Sequence, residues 1–272
     1  MLFVCPLCKK QLNTDSGKSA VCPSGHSFDK SRKGYYNLLI GRGGAHGDNK
    51  EMVIARRAFL ERGLYEPLAS FVAESVAELI PFGGAVLDAG CGEGYYTLAI
   101  KRASEKKGAS VSAFDISKDA VTEAARKGAA DDFAVCGSYH MPIADGSVDA
   151  LVNTFSPLAI EETRRVIKAG GHFIMAIPGE EHLFGLKSAV YKTPYKNTVE
   201  DTAIDGFKLI SKNELRYEMK LDNGGLGDLF LMTPYAYRTR PEDKERVLSL
   251  PSLTTEAHFY VLIYERTEDN GS

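Results

Sequence analysis

Three of the five cysteines and one of the six histidines fall within residues 5–26, in the stretch CPLCKKQLNTDSGKSAVCPSGH. Cys5 and Cys8 stand at C-x2-C spacing, and Cys22 and His26 follow as a C-x3-H pair. A C-x2-C turn aims two thiolates at one ion, and a second short-spaced pair on a neighbouring turn completes a tetrahedron. Pro6, Pro23 and Gly25 favour such turns. Three thiolates with one imidazole select zinc in a reduced compartment. No ligand of the four is missing, so the expected site is closed and structural. Two paired spacings argue against unrelated buried thiols. About 35 residues cannot bury enough apolar surface to fold alone, and a bound metal supplies what is missing.

The second chemical stretch is AVLDAGCGEGYYTLAI, residues 85–100. An apolar run ends in Asp88; Gly90, Gly92 and Gly94 then alternate with other residues, and a helical pattern begins at once. Glycines at the carboxyl end of a strand let a ligand approach the backbone beside a helix N-terminus. The spacing D-x-G-x-G-x-G is neither the G-x-G-x-x-G of a nicotinamide fingerprint nor a phosphate loop ending in G-K-[ST]. Twenty-one residues beyond Gly94, the segment SVSAFDIS ends a second apolar run in Asp115, where an acid can take both hydroxyls of a ribose.

These residues need elements to hold them. Residues 51–80 carry apolar positions at helical spacing, broken near Gly63 and Pro67, which predicts two helices with Tyr65 in the turn between them. Strands are expected near 132–137 and 148–155, followed by a helix, a Gly170–Gly171 turn and a fifth strand in EETRRVIKAGGHFIMAIPG. This β-α alternation over residues 84–180 predicts an α/β fold with a doubly wound, Rossmann-like sheet. Residues 224–237 read as an apolar helix with a turn at Pro234, 256–267 as a closing strand, and TEDNGS at the end as disordered. Gly41–Lys50, with four glycines and no apolar period, reads as a flexible linker. The expected organisation is a zinc-binding domain over 1–40, the linker over 41–50, and a larger domain over 51–272.

With 272 residues, 44% of them hydrophobic, the chain can bury a full core. It has no run of about 18 apolar residues and no signal-peptide pattern, which predicts a cytoplasmic protein without a membrane partner. An odd cysteine count argues for metal or reduced thiols over a disulfide framework. The net charge is −3, yet residues 1–62 hold eleven Lys and Arg against five acids, a balance of +6, so the remainder carries −9. That asymmetry suggests that the N-terminal part meets a polyanion.

LDAGCGEG, FDIS and RVIKAGG, in that order, resemble the class I S-adenosylmethionine-dependent methyltransferases. The resemblance implies that Asp88, Gly90, Gly92, Glu93 and Gly94 serve the methionine portion of the cofactor and Asp115 its ribose. It also implies that Ser138–His140 flank the adenine and that Asn153–Pro157 face the methyl acceptor. Over the whole chain, CPLC…CPSGH, FDKSRKGYYNLL, ARRAFLERGLYEPL, PGEEHLFGLK and LMTPYAYR are similar to the bacterial 23S rRNA (guanine-N1) methyltransferase family. That likeness implies zinc on Cys5, Cys8, Cys22 and His26, further cofactor contacts at Tyr65 and His182, and a guanine in a 23S rRNA hairpin loop as target. His140, Glu93 and His182 are candidates for the base that takes the N1 proton, undistinguished by spacing. NTFSP after the fourth strand is not the Asn/Asp-Pro-Pro-aromatic stretch of exocyclic-amine methylation, and neither Cys91 nor Cys136 sits where pyrimidine C5 chemistry needs a nucleophile. A small-molecule methyltransferase and a non-catalytic RNA-binding module remain as alternatives. A homodimer, able to span an RNA hairpin, is a further expectation.

Overall fold

The computed structural model describes residues 1–15, 17–40, 47–199 and 201–268. Most of the expected linker, residues 41–46, and residues 269–272 of the expected disordered tail lie outside the described residues.

The N-terminal unit holds a short antiparallel pair, β1 (Ser19–Val21) and β2 (Ser27–Asp29), and then β3 (Tyr36–Asn37). Two helices follow, α1 (Lys50–Leu60) and α2 (Glu66–Leu79), broken where Gly63 and Pro67 predict. The side chain of Asn49 caps α1 by accepting from the Met52 N–H at 2.9 Å. The alternating part runs β4 (Ala85–Ala89), α3 (Tyr95–Ser104), β5 (Ser110–Asp115), α4 (Lys118–Arg126), β6 (Asp132–Val135), β7 (Val148–Thr154), α5 (Ile160–Val166), β8 (Ile167–Pro178) and α6 (Phe184–Val190). Then come β9 (Phe207–Asp222), α7 (Asn223–Leu231), α8 (Tyr235–Arg238), α9 (Pro241–Leu248) and β10 (Ser252–Arg266).

Among the described residues eight strands form one sheet in the order β3-β6-β5-β4-β7-β8-β10-β9. β3 through β8 pair in parallel, and β10 lies antiparallel to both β8 and β9. The order reverses between β4 and β7, so a crevice opens there at the carboxyl ends of the strands. Central strands such as β4 are buried on both faces, which is why their sequences are apolar runs without alternation. Two apolar clusters cover the two faces.

The Gly170–Gly171 turn predicted before the fifth strand is an irregularity inside β8. Ile167 pairs with Val148 and His172 with Ala150, so the residues between them stand out of register, with Gly170 at φ 72°. β9 carries no expectation from the sequence: half-buried or buried positions alternate with exposed ones along most of its length, as on an edge strand with one face towards the core.

The N-terminal unit is packed onto the sheet. Tyr36 and Asn37 pair with Ala134 and Val135, and the Val4 and Leu38 N–H groups donate to Pro142 and Val135 at 2.8 and 3.0 Å. Phe3 is fully buried in the same cluster as Leu87 and Phe114 of the sheet. The end of the expected flexible linker is instead tied down, because the Ser117 hydroxyl donates to the Asp48 carbonyl at 2.7 Å and Lys50 already opens α1. Among the described residues no helix is long and apolar enough to cross a membrane.

Candidate metal centre and active site

The ligand atoms of Cys5, Cys8, Cys22 and His26 all lie within 4.8 Å of one another. The Cys5 and Cys22 sulfurs each stand 3.4 Å from His26 Nδ1, and the Cys8 and Cys22 sulfurs are 3.5 Å apart. A tetrahedral zinc with bonds of about 2.3 Å to sulfur and about 2.0 Å to nitrogen has edges of roughly 3.5–3.8 Å, so the donor set fits zinc in both chemistry and size. Two tight turns aim the ligands. The Lys9 N–H donates to the Cys5 carbonyl and the Gly25 N–H to the Cys22 carbonyl, with Lys9 and Gly25 at positive φ. The Lys10 backbone N–H is the main cause that lowers the Cys8 thiol to about 6, which favours the thiolate a metal needs.

At the switch point between β4 and β7 lies a cleft of about 1020 Å³. Gly90, Gly92 and Glu93 line it from the glycine turn, and Asp115 from the end of β5. The turn folds over β5: the Gly90 and Cys91 N–H groups both donate to the Phe114 carbonyl at 2.9 Å. Asp115 accepts the Gly92 N–H on Oδ2 at 2.9 Å and the Ser117 N–H on Oδ1 at 2.8 Å. Each of its oxygens keeps a second lone pair for a ligand diol. Burial raises its pKa, while those two N–H groups oppose the rise. Glycine is required at Gly90, where φ is 84° and an added Cβ would lie 2.4 Å from the Ser156 side chain.

Glu93 is 2% exposed; its Oε2 pairs with Lys127, and its Oε1 has no hydrogen-bond partner among the described residues. A buried carboxylate oxygen without a partner, beside an acid with free lone pairs, fits the ammonium and ribose of S-adenosylmethionine. Ser138, Tyr139 and His140 form a short turn on the cleft wall. Next to it, Glu162 accepts the Met141 N–H at 2.6 Å and Arg165 donates to the Met141 carbonyl at 3.0 Å.

Two residues expected at the cofactor do not line the cleft. Asp88 does not line the cleft; it is 1% exposed beneath the turn and accepts the Thr97 hydroxyl at 2.6 Å. Burial, with the charge of Asp115, pushes its carboxyl up to about 7 against that hydrogen bond. Gly94 caps α3 at φ 84°, and an added Cβ would meet Ala124 and Ala129 at 2.9 Å, so it serves helix packing. Asn153 is likewise buried and off the cleft, whereas Thr154, Phe155, Ser156 and Pro157 line it.

Tyr65 and His182 both line the cleft and meet there, with Tyr65 Oη 3.3 Å from His182 Nε2. The His258 backbone N–H donates to His182 Nδ1 at 3.3 Å. Burial, followed by the charge of Lys187, lowers the His182 pKa to about 3, so the ring is neutral. Its Nδ1 lone pair is taken, the hydrogen is on Nε2, and it donates to Tyr65. His182 therefore offers no free lone pair to a proton. His140 is exposed at the cleft, and Glu93 is buried in it.

Sequence reasoning missed Arg56, Tyr96 and the N-terminal contribution to this cleft. Arg56 lines it and pairs with Asp48; Lys9 and Leu38–Ile40 line it from the zinc-ligand unit. Phe155 fell within an expected stretch, but nothing marked it individually. It has φ 58°, unusual for an aromatic residue, and stays 43% exposed among Tyr96, His182 and Phe259. The available signal was its place just past the carboxyl end of β7.

The family model described as "RlmA, N-terminal", a zinc ribbon, matches residues 3–40, and one described as "Methyltransferase domain" matches residues 87–175. A Micromonospora griseorubida protein, provisionally named a 23S rRNA (guanine-N1)-methyltransferase, is 33% identical over 259 residues, covering 87% of each chain. The 23S rRNA (guanine(748)-N1)-methyltransferase of Streptomyces fradiae is 29% identical, covering 92% of this chain and 91% of its own. A Bacillus subtilis protein with the same provisional name as the first is 30% identical over 91% of this chain and 90% of its own.

Proposed function

This chain belongs to the 23S rRNA (guanine-N1)-methyltransferase family, and from that premise we propose that the guanine it methylates sits in a 23S rRNA hairpin loop, gripped by the N-terminal unit while the cleft receives the base. It is an S-adenosylmethionine-dependent enzyme with a structural zinc. The observation that carries the reading is that one cleft is lined both by the glycine turn with Asp115 and by Lys9 and Leu38–Ile40 of the zinc ribbon. RNA held by the ribbon thereby reaches the site of transfer. The basic balance of residues 1–62 supports phosphate binding there.

When bound, S-adenosylmethionine supplies an electrophilic methyl group. In this reading Asp115 takes the ribose hydroxyls, and Glu93 Oε1 takes the amino group of the methionine portion. Gly90 and Gly92 let the backbone close on it, while Tyr65 and His182 bound the same end. Ser138–His140 flank the adenine. Asp88 and Gly94 position the turn from behind. Cys5, Cys8, Cys22 and His26 hold the zinc that folds residues 1–40, and residues 51–272 form the transfer domain. Guanine N1 must lose its proton for its electron pair to attack, and His140, exposed at the cleft, can take that proton and pass it to solvent. His140→Gln is expected to lower kcat roughly 100-fold with cofactor affinity unchanged; an unchanged kcat removes His140 from this role.

Labelled methyl transfer to protein-free 23S rRNA from a host lacking the enzyme, followed by nucleoside mass spectrometry, tests the activity. Label is expected in 1-methylguanosine, and it should persist when a short synthetic hairpin replaces the rRNA. A requirement for the full rRNA overturns the hairpin, and no label in RNA overturns the reading. The reading places the enzyme in the cytoplasm and includes a homodimer whose two ribbons span one hairpin. Sedimentation equilibrium at micromolar protein tests the dimer, and a monomer refutes it.

A further inference from the structure

A second surface adjoins the cleft across the sheet from the zinc ribbon. The ribbon joins the sheet at β3, beside β6, whereas α6 follows β8, and α8 lies in the connection between β9 and β10. Residues 183–197 hold three lysines and 229–241 two arginines, with no acid in either stretch, although residues 63–272 together carry −9. Three tyrosines meet where the two stretches come together: the Tyr191 ring centroid lies 5.8 Å from that of Tyr195 and 6.0 Å from that of Tyr235. Tyr235 lines the cleft, and Tyr195 is 55% exposed. Burial raises the Tyr191 phenol, and the charge of Arg238 beside it opposes the rise. Lys196 and Arg240 are paired with Glu181 and Asp243, but the exposed side chains of Lys192 and Arg238 meet no carboxylate among the described residues. The segment that carries Tyr195 is held from beneath. Lys187 is 1% exposed and makes no ion pair among the described residues; its Nζ donates to the Tyr195 carbonyl at 3.2 Å and to Asn197 Oδ1 at 2.5 Å, and stands 4.6 Å from the Tyr195 ring centroid. A buried ammonium without a counter-ion is costly, so its use under a surface segment points to a shape that the site requires. Asn197 in turn donates to the Gly179 and Glu180 carbonyls at 2.7 and 2.8 Å, which ties the segment to the end of β8, where Pro178 lines the cleft.

We propose that Tyr191, Tyr195 and Tyr235, with Lys192 and Arg238, form a second RNA contact: the tyrosines stack a nucleotide adjoining the target guanine, and the two cations take the phosphates beside it. This rests on the RNA reading above. A base that enters the cleft leaves RNA chain on both sides of it, and the ribbon stands on one side only. Unstacked loop bases pack on aromatic rings whatever their identity, while unpaired ammonium and guanidinium groups attract the backbone. The tyrosines are continuous with the cleft through Tyr235, so a stacked neighbour lies next to the site of transfer. Holding that neighbour disfavours return of the target base to its stack.

The test compares Tyr195→Ala, Tyr195→Trp and the double variant Lys192→Gln, Arg238→Gln with the wild-type enzyme. Steady-state methylation of protein-free 23S rRNA is measured at several salt concentrations, beside S-adenosylhomocysteine affinity by calorimetry. Tyr195→Ala is expected to raise KM for the rRNA roughly 10-fold with kcat nearly unchanged, and Tyr195→Trp to restore KM. In the double variant the slope of log KM against log salt should shrink by about 0.7 for each cation removed. Cofactor affinity should hold in all three, because the substituted side chains lie outside the glycine turn and Asp115. A KM for Tyr195→Ala within about twofold of wild type overturns the proposal, as does an unchanged salt slope in the double variant. A fall in kcat at unchanged KM overturns it as well, since the effect then lies in transfer. Sedimentation equilibrium without RNA tests the other occupant: an oligomeric state altered by these substitutions overturns the RNA contact in favour of a second copy of the chain. A wild-type enzyme that binds S-adenosylhomocysteine and labels no RNA overturns the RNA reading, and this contact with it. A wild-type enzyme that labels 1-methylguanosine leaves the variants to decide the contact alone.

Discussion

The zinc ribbon and the transfer cleft treat their polar groups in opposite ways. In the ribbon four ligand atoms converge within 4.8 Å, and no donor of the set is left over for a substrate. Around the cleft Glu93 Oε1 and the hydroxyls of Tyr96 and Thr154 are buried without a partner among the described residues. A closed set supports a fold, whereas an open set awaits a ligand, since an unmet buried polar group costs about 1–3 kcal/mol. The two regions also spread their stability differently. Among the described residues the ribbon has one short strand pair, the two-residue β3 and one metal point, while an eight-stranded sheet with apolar clusters on both faces carries the cleft.

Removing the metal is the largest break in that comparison. Structural zinc contributes about 10–16 kcal/mol to folding in small domains, so Cys8→Ser or a strong chelator should unfold residues 5–30 and reduce RNA methylation more than 100-fold. S-adenosylhomocysteine affinity should change far less, because Gly90, Gly92, Glu93 and Asp115, the residues proposed to hold it, stand on the turn after β4 and at the end of β5, outside the ribbon. Hydrogen exchange and calorimetry together read this out. Continued protection of the ribbon after metal release would show that its packing on the sheet through Phe3 and β3 carries it without zinc.

Asp115→Ala acts on the open region and comes next. It removes the acceptor for the Gly92 and Ser117 N–H groups along with the carboxylate proposed to take the ribose. Cofactor affinity should fall roughly 100-fold, at about 1–3 kcal/mol for each unmet group. Asp115→Asn, which keeps an acceptor, should fall less. Equal losses in the two variants would locate the effect in charge instead of hydrogen bonding.

Much of this contrast was legible in the sequence, for reasons that differ between the regions. Metal ligation depends on residue type and short spacing, so Cys5, Cys8, Cys22 and His26 could be named before any geometry. The glycine turn was legible as a turn, but which residues face the ligand depends on how β4 twists under α3. Hence Asp88 and Gly94, both expected at the cofactor, stand off the cleft wall, at Thr97 and against Ala124. Parallel strands announced themselves as apolar runs. β9 did not, because its charged and apolar residues alternate on a sheet edge and its partner β10 follows in the sequence beyond three helices. The docking of the ribbon through two-residue β3 was invisible, since so short a pairing leaves no period to read.

Gly94→Ala probes the sheet region with a smaller effect. The new Cβ meets Ala124 and Ala129 at 2.9 Å in a backbone at φ 84°. The expected loss is about 2–3 kcal/mol from strain and overpacking, seen as a lower urea midpoint with zinc content unchanged. A midpoint within error of wild type would mean that α3 and α4 separate at little cost.

The smallest expected effect is a pH slope, and it again separates the two regions. The Asp88 carboxyl titrates near 7 in the folded protein against an ordinary value of 3.8, because burial and the charge of Asp115 outweigh the Thr97 hydrogen bond. Between about pH 4 and pH 7 the folded chain keeps a proton that the unfolded chain has released. The folded state binds more protons in that window, so stability contributed by Asp88 is full below pH 4 and is lost as pH rises through 7. Asp88→Asn keeps an acceptor for Thr97 and removes the titration. The difference in unfolding free energy, wild type minus variant, should therefore decline from pH 4 to pH 7 and be flat above it. The zinc content of both proteins should stay equal at each pH where the difference is read, which keeps the ribbon's thiols out of the comparison. A difference that does not change across the window would mean that Asp88 is ionised when folded, with Thr97 and solvent stabilising the charge that the buried position otherwise disfavours.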